Sequence, residues 1–121
     1  GLTLLLADDE ARLRQVVGLM AEELGAEVIV VDNNEEAIQI YTERRDEIDL
    51  LMLDLRMSGM DGQTAYRSIK AFDPDARVLV ASGIDPDKAF VDELKQGGCA
   101  FIEKPFGMDT LAQALYRIAK R

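Results

Sequence analysis

The chain has 121 residues, of which 48% are hydrophobic and 31% are charged, and its formal net charge is -9. This size and composition predict one globular domain spanning 1–121, and no apolar run reaches the ~20 residues that cross a bilayer, so no membrane contact is expected. The acidic charge argues against direct binding to a nucleic acid, and the absence of histidine excludes imidazole chemistry within the chain.

The first half of the chain predicts two strand and helix pairs and a third strand. An apolar run at the start indicates a buried strand, and apolar residues then recur at helical spacing until Gly25, a common helix stop. A β-branched run predicts a second strand, and Asn33 with a glutamate three residues later is typical of a helix N-terminus. The predicted elements are strand 2–7, helix 10–24, strand 27–31, helix 33–45 and strand 50–54.

The second half repeats this alternation. A short helix is followed by a turn at 73–75 and another β-branched strand. Asp85 predicts an N-cap with Pro86 at the first helical position, and Gly97 ends that helix. The predicted elements are helix 64–71, strand 77–81, helix 86–96, strand 99–103 and a last helix marked by Leu111, Leu115 and Ile118.

Strict alternation of strands and helices predicts the fold. Right-handed crossovers place successive strands parallel in one sheet, with helices on both faces. We therefore expect a doubly wound α/β sandwich with a five-stranded parallel sheet. Ligands of such sheets bind at the carboxyl ends of the strands.

Polar residues stand at the carboxyl end of four predicted strands. They are Asp8 and Asp9 after the first strand, Asp54 at the end of the third, Ser82 after the fourth and Lys104 after the fifth. At about 4 Å and an effective dielectric near 20, each pair of like charges costs roughly 4 kcal/mol, a large share of a typical stability of ~5–15 kcal/mol. Three carboxylates at one edge therefore require a cation.

These residues and their order resemble the receiver domain of response regulators in two-component signalling. The resemblance covers the whole chain and implies the flavodoxin-like strand order 2-1-3-4-5. It rests on Asp8-Asp9, on Asp54 with Met57, Gly59, Asp61 and Gly62, on Ser82-Gly83, on Phe101, and on Lys104-Pro105-Phe106.

The resemblance implies a role for each charged residue. Asp54 would be the nucleophile that accepts a phosphoryl group. Asp9, Asp54 and the backbone carbonyl of Arg56 would bind Mg²⁺ directly, and Asp8 would act mostly through a bound water, a partly hydrated oxygen set that Mg²⁺ favours. Lys104 would stabilise the phosphoryl oxygens, because phosphoryl transfer depends mainly on positioning and charge neutralisation.

The resemblance also implies a conformational switch. Ser82 would hydrogen-bond the phosphoryl group and move toward it, and Phe101 would turn inward, so that the face of the fourth helix, fifth strand and fifth helix changes shape. The family has a cis peptide bond between the residues that are Lys104 and Pro105 here.

Three positions depart from the family pattern. Ser58 stands where proline is usual, which predicts a more flexible loop after Asp54. Arg56 occupies the variable position whose side chain helps to set the lifetime of the phosphoryl group. Gly107 stands where an aspartate or serine would cap the last helix.

The implied function is a phosphoacceptor switch, and not an enzyme acting on other substrates. A partner histidine kinase or histidine phosphotransfer protein would donate the phosphoryl group to Asp54. One alternative is a protein-binding module that works without phosphorylation, against which the complete set of site residues argues. An aspartyl phosphatase would carry a second aspartate at position 56, and a flavodoxin-like electron carrier would carry a Ser/Thr-rich loop after the first strand.

Context is predicted from small features. The lack of a signal-peptide pattern and the single cysteine favour the cytoplasm. Gly1 in place of methionine favours an excised segment, and the run 98–106 resembles receivers at the C-terminus of hybrid sensor histidine kinases. Members of the family also form homodimers through the fourth and fifth helices.

Overall fold

The computed structural model describes residues 2–119. Five strands and five α-helices alternate along the chain. They are β1 Leu2–Ala7, α1 Ala11–Glu23, β2 Ala26–Val31, α2 Asn34–Arg44, β3 Leu50–Asp54, α3 Gly62–Phe72, β4 Val78–Ser82, α4 Lys88–Gln96, β5 Ala100–Glu103 and α5 Met108–Ala119. None of the helices within 2–119 combines the length and apolar character needed to cross a membrane.

The five strands form one parallel sheet in the order β2-β1-β3-β4-β5. This confirms the predicted fold and strand order. The chain moves outward from β1 to β2 and then returns past β1 to β3, so the direction of winding changes between β1 and β3. Such a point opens a crevice at the carboxyl ends of the two strands.

Side chains of each strand alternate between two apolar cores. In β1, Leu5 and Ala7 face a core shared with α2, α3 and α4, whereas Leu4 and Leu6 face a core shared with α1 and α5. This alternation follows from the period of two in a strand. Because both faces of the central strands are covered, β1, β3 and β4 carry near-continuous apolar runs, as the sequence indicated.

Helix boundaries agree with the predictions to within one residue except at the starts of α3 and α4. We predicted an N-cap at Asp85 and the first helical turn at Pro86, and this prediction is wrong. The helix begins at Lys88, and Asp87 caps it by accepting a hydrogen bond from the Ala89 N–H at 3.3 Å. Two aspartates flank the proline, and the helix starts after the second of them, whose backbone oxygen also accepts a hydrogen bond from the N–H of the buried Phe90 at 3.0 Å.

The start of α3 is set by its contact with the end of β3. Asp61 caps the helix by accepting a hydrogen bond from the Thr64 N–H at 2.8 Å, so the helix begins two residues earlier than predicted. A Cβ at Gly62 would lie 2.6 Å from the backbone oxygen of Asp54. The close approach requires glycine and holds the start of α3 against the predicted phosphoacceptor.

The amino edge of the sheet carries its own half-buried cation. The Nζ of Lys70 donates hydrogen bonds to the carbonyl oxygens of Pro74, Ala76 and Gly97, at 2.6, 3.2 and 2.9 Å. These carbonyls precede β4 and β5. Lys70 thus joins the end of α3 to the starts of two strands.

Candidate functional site

The fold brings three carboxylates together at the carboxyl edge of the sheet. Asp8 and Asp9 follow β1, and Asp54 ends the neighbouring strand β3. One carboxylate oxygen from each residue lies within 4.8 Å of the others. Asp8 and Asp54 are only 4% and 5% exposed, while Asp9 is exposed.

Lys104 bridges two of these carboxylates. Its Nζ lies 3.0 Å from the Oδ2 of Asp8 and 3.0 Å from the Oδ2 of Asp54. The lysine follows the edge strand β5, and its peptide bond to Pro105 is cis, as the resemblance implied. One ammonium therefore faces three carboxylates, and the cluster keeps an excess of negative charge.

Burial and charge shift the ionisation of the bridged pair. Burial raises the pKa of Asp54 above its ordinary value, although the hydrogen bond from Lys104 works in the opposite direction. Burial acts to lower the pKa of Lys104, but hydrogen bonds to Asp54 and Asp8 and the charges of both outweigh it and raise that pKa. Lys104 therefore stays charged, whereas burial makes the ionised form of Asp54 less favourable than it is in water.

Backbone groups of the loop after β3 reach the same carboxylates. The Arg56 N–H donates to the Oδ1 of Asp54 at 3.3 Å, and the Ser58 N–H donates to the Oδ2 of Asp9 at 3.3 Å. A proline at position 58 could not make the second bond. The predicted flexibility at Ser58 is therefore opposed by a contact that the sequence did not reveal.

Arg14 is a second contact that sequence reasoning missed. Its guanidinium donates to the backbone oxygen of Asp8 at 2.8 Å, and the Glu10 N–H donates to the Oδ1 of the same aspartate at 2.9 Å. A basic residue one turn into the first helix is the only sequence signal for this contact. The pair fixes the backbone and the side chain of Asp8 together.

Ser82 and Phe101 lie where a switch would need them. The Oγ of Ser82 accepts a hydrogen bond from the Ile84 N–H at 3.2 Å, and its carbonyl oxygen accepts one from the Lys104 N–H at 2.8 Å. Ser82 is buried next to Asp54, because β4 pairs with β3. Phe101 is partly buried against the core that α2, α3 and α4 share. Their switch roles stay predictions.

A cleft of about 710 Å³ opens beside the carboxylates. Asp9, Arg56 and Ser58 line one side, and Ile84 and Asp87 from the segment after β4 line the other. The exposed carboxylate of Asp9 is therefore open to solutes, while Asp8 and Asp54 lie behind it.

The donor set suits a hard divalent cation. Asp8, Asp9 and Asp54 offer oxygen atoms only, and the negative charge exceeds what Lys104 neutralises. Oxygen donors of this kind, with one side open to water, are what Mg²⁺ prefers. The residues present therefore fit the ion that the resemblance implied.

Comparisons with known proteins agree with this geometry. Residues 4–116 match the sequence profile of the response regulator receiver domain. The chemotaxis protein CheY of Listeria monocytogenes is 35% identical over 120 residues, which are 98% of this chain and 99% of that protein. The transcriptional regulatory protein GlrR of Escherichia coli is 33% identical over 114 residues, which are 93% of this chain but 25% of that protein.

A solved structure gives the same result. The crystal structure of the CheX-CheY-BeF3-Mg²⁺ complex from Borrelia burgdorferi contains a chain with a TM-score of 0.89 and 26% identity, matching 99% of this chain and 90% of that chain. The family profile, the CheY relative and the solved structure all identify the same family. The chain belongs to the response regulator receiver domains of two-component signalling.

Proposed function

We propose that this domain is a phosphoacceptor switch in which Asp54 receives a phosphoryl group. The observation that carries the proposal is the Lys104 ammonium, held 3.0 Å from Asp54 and from Asp8 beside a third carboxylate. A structural ion pair would need one carboxylate. Two buried acids and an exposed third one instead provide a nucleophile and a set of cation ligands.

The transfer is an in-line displacement at phosphorus. A carboxylate oxygen of Asp54 attacks the phosphorus of a phosphohistidine, the new O–P bond forms, and the electron pair of the breaking P–N bond returns to the imidazole. Lys104, already 3.0 Å from Asp54, would neutralise charge on the phosphoryl oxygens. Because this chain contains no histidine, the phosphohistidine belongs to a histidine kinase or a histidine phosphotransfer protein.

Asp9, Asp54 and the Arg56 carbonyl would hold Mg²⁺, with Asp8 acting through a water. When bound, the ion supplies charge neutralisation for the phosphoryl oxygens. Support comes from the oxygen-only donor set and from the Borrelia burgdorferi relative, whose structure includes Mg²⁺. The Ser58 and Arg56 N–H groups orient two of these carboxylates from the open side of the site.

The response to phosphorylation involves Ser82 and Phe101. Ser82 would exchange its hydrogen bond with the Ile84 N–H for one with the phosphoryl group, and Phe101 would move into the space that Ser82 leaves. The face of α4, β5 and α5 would then present a different surface to partners. A single domain over 1–121, homodimer formation and a cytoplasmic location stay predictions.

Intact-protein mass measures the proposed chemistry directly. The protein is incubated with acetyl phosphate, with Mg²⁺ or with a chelator, alongside Asp54→Ala. We expect one added phosphoryl mass that requires both Mg²⁺ and Asp54. A folded protein that binds Mg²⁺ and gains no phosphoryl mass, even when samples are quenched within seconds, would instead favour the binding module that works without phosphorylation.

A further inference from the structure

Asn34 is a fully buried polar residue that the site chemistry described so far does not use. It is the first residue of α2, and its side chain reaches the segment that follows β3. The Nδ2 donates hydrogen bonds to the backbone oxygen of Asp54 at 3.3 Å and to that of Met60 at 3.1 Å. The side chain thus contacts the phosphoacceptor residue through its main chain.

The contacts fix the orientation of the amide. Both partners are carbonyl oxygens, which only accept hydrogen bonds, so the amide nitrogen must face them. Within residues 2–119, no group donates to the buried Oδ1 of Asn34. A buried acceptor without a donor is unfavourable. What asparagine provides at this position is therefore the pair of hydrogen bonds that its Nδ2 donates.

Those two bonds span the loop that carries the cation ligands. Asp54 stands immediately before the loop, and Met60 stands near its end. The Leu55 N–H is held by the Ala81 carbonyl at 2.8 Å, and the Gly62 N–H is held by the Leu55 carbonyl at 2.9 Å. Asn34 adds a third contact, which comes from α2. The segment between the two carbonyls that it binds includes Arg56.

We propose that Asn34 is a positioning residue for the Mg²⁺ site, acting through the loop between Asp54 and Met60. By holding both ends of the loop, the amide sets where the Arg56 carbonyl and N–H lie relative to the Asp54 carboxylate. The inference rests on the proposed function, because the ion whose ligands are positioned is the one proposed there. Groups that orient metal ligands contribute to affinity without touching the metal.

The test compares Asn34→Ala with Asn33→Ala. Asn33 is the matched control because it caps α2 and, within residues 2–119, its side chain hydrogen-bonds to Asp32 and Glu36 and not to the loop after β3. Asn34→Leu is a second variant that keeps the branched shape of the side chain and removes the donor. Circular dichroism confirms that each variant is folded. Amide hydrogen exchange is then measured without metal, and Mg²⁺ affinity is measured by calorimetric titration.

We expect faster exchange of the Arg56 and Gly62 amides in both Asn34 variants, and a loss of Mg²⁺ affinity of about tenfold. Asn33→Ala should change neither. Faster exchange with unchanged Mg²⁺ affinity would overturn the positioning role, and so would unchanged exchange. If the wild-type protein itself fails to bind Mg²⁺, the proposed function fails, while the exchange data still decide whether Asn34 holds the loop.

Discussion

Two lysines at opposite edges of the same sheet differ in the charge of the groups that they bind, and the difference distinguishes a structural contact from a functional site. At the amino edge, Lys70 donates to three neutral carbonyl oxygens. At the carboxyl edge, Lys104 donates to the carboxylates of Asp8 and Asp54, with Asp9 beside them. Both lysines join separate parts of the chain. Only the second one sits among more negative charge than it can neutralise.

The difference predicts how each edge responds to change. In the part of the chain that the structure describes, Lys70 donates its hydrogen bonds to neutral carbonyl oxygens, so its surroundings do not call for a further cation. Around Lys104 the excess charge costs stability until another cation arrives. The carboxyl edge is therefore less stable by itself and more responsive to ligands, whereas the amino edge is a fixed structural joint.

Replacing each lysine in turn should give the largest difference in stability between the two edges. Lys104→Met leaves two buried carboxylates without their cation, and we expect a loss of about 3 kcal/mol in the free energy of unfolding. Lys70→Met leaves carbonyls that water can reach, and about 1 kcal/mol should be lost. Urea unfolding in the presence of a chelator measures both. Equal losses would remove the distinction between the edges.

Metal binding should give the second-largest difference between the two edges. At about 100 times its dissociation constant, Mg²⁺ should stabilise the wild-type protein by about 2.7 kcal/mol, which raises Tm by about 10 °C. Lys70→Met should show the same shift, and Asp9→Asn a smaller one. Potassium chloride at matched ionic strength is the control, and an equal shift with that salt would point to charge screening without a site.

Asp54→Asn should stabilise the metal-free protein at neutral pH. Burial raises the pKa of Asp54 in the folded state above its ordinary value of 3.8, so folding favours the protonated acid. The wild-type protein therefore loses stability as pH rises from that value through the folded pKa, and the asparagine variant does not. Urea unfolding across this pH range should show two stabilities that converge in acid. A variant that is less stable at neutral pH would contradict the conclusion that burial disfavours ionised Asp54.

The contact between Ser58 and Asp9 should have the smallest effect. Ser58→Pro removes the N–H that donates to the Asp9 carboxylate, and Mg²⁺ affinity should fall about threefold. Ser58→Ala keeps the N–H and should bind as the wild type does. Calorimetric titration of both variants tests this prediction. If alanine and proline weaken binding equally, the hydroxyl matters and the backbone contact does not.

Much of this site could be predicted because parallel strands bring their ends together. Once Asp8, Asp54 and Lys104 were each placed after a buried strand, their proximity followed from the topology. The structure adds which carboxylates are paired. Lys104 bonds Asp8 and Asp54, while Asp9 faces the cleft, and neither strand pattern nor spacing could distinguish the two adjacent aspartates.

Contacts from outside the strand ends could not be predicted. Asn34 follows a recognisable helix cap, and nothing in its local sequence shows that its side chain is buried under the loop after β3. Arg14 likewise looks like an ordinary helix residue. The start of α4 was misplaced because aspartates stand on both sides of Pro86, and the helix that begins after the second one buries Phe90 in the core. In each case a tertiary contact supplied the missing information.

Identifying the phosphorylated residue is the most direct test of the account. Borohydride reduces an acyl phosphate to the alcohol, which converts a phosphorylated aspartate into homoserine. Tryptic cleavage then separates Asp54, in peptide 46–56, from Asp8 and Asp9, in peptide 1–12. We predict Mg²⁺-dependent homoserine at position 54 alone. Homoserine at position 8 or 9, or none in protein that carries the phosphoryl mass, would contradict the assignment of Asp54 as the phosphoacceptor.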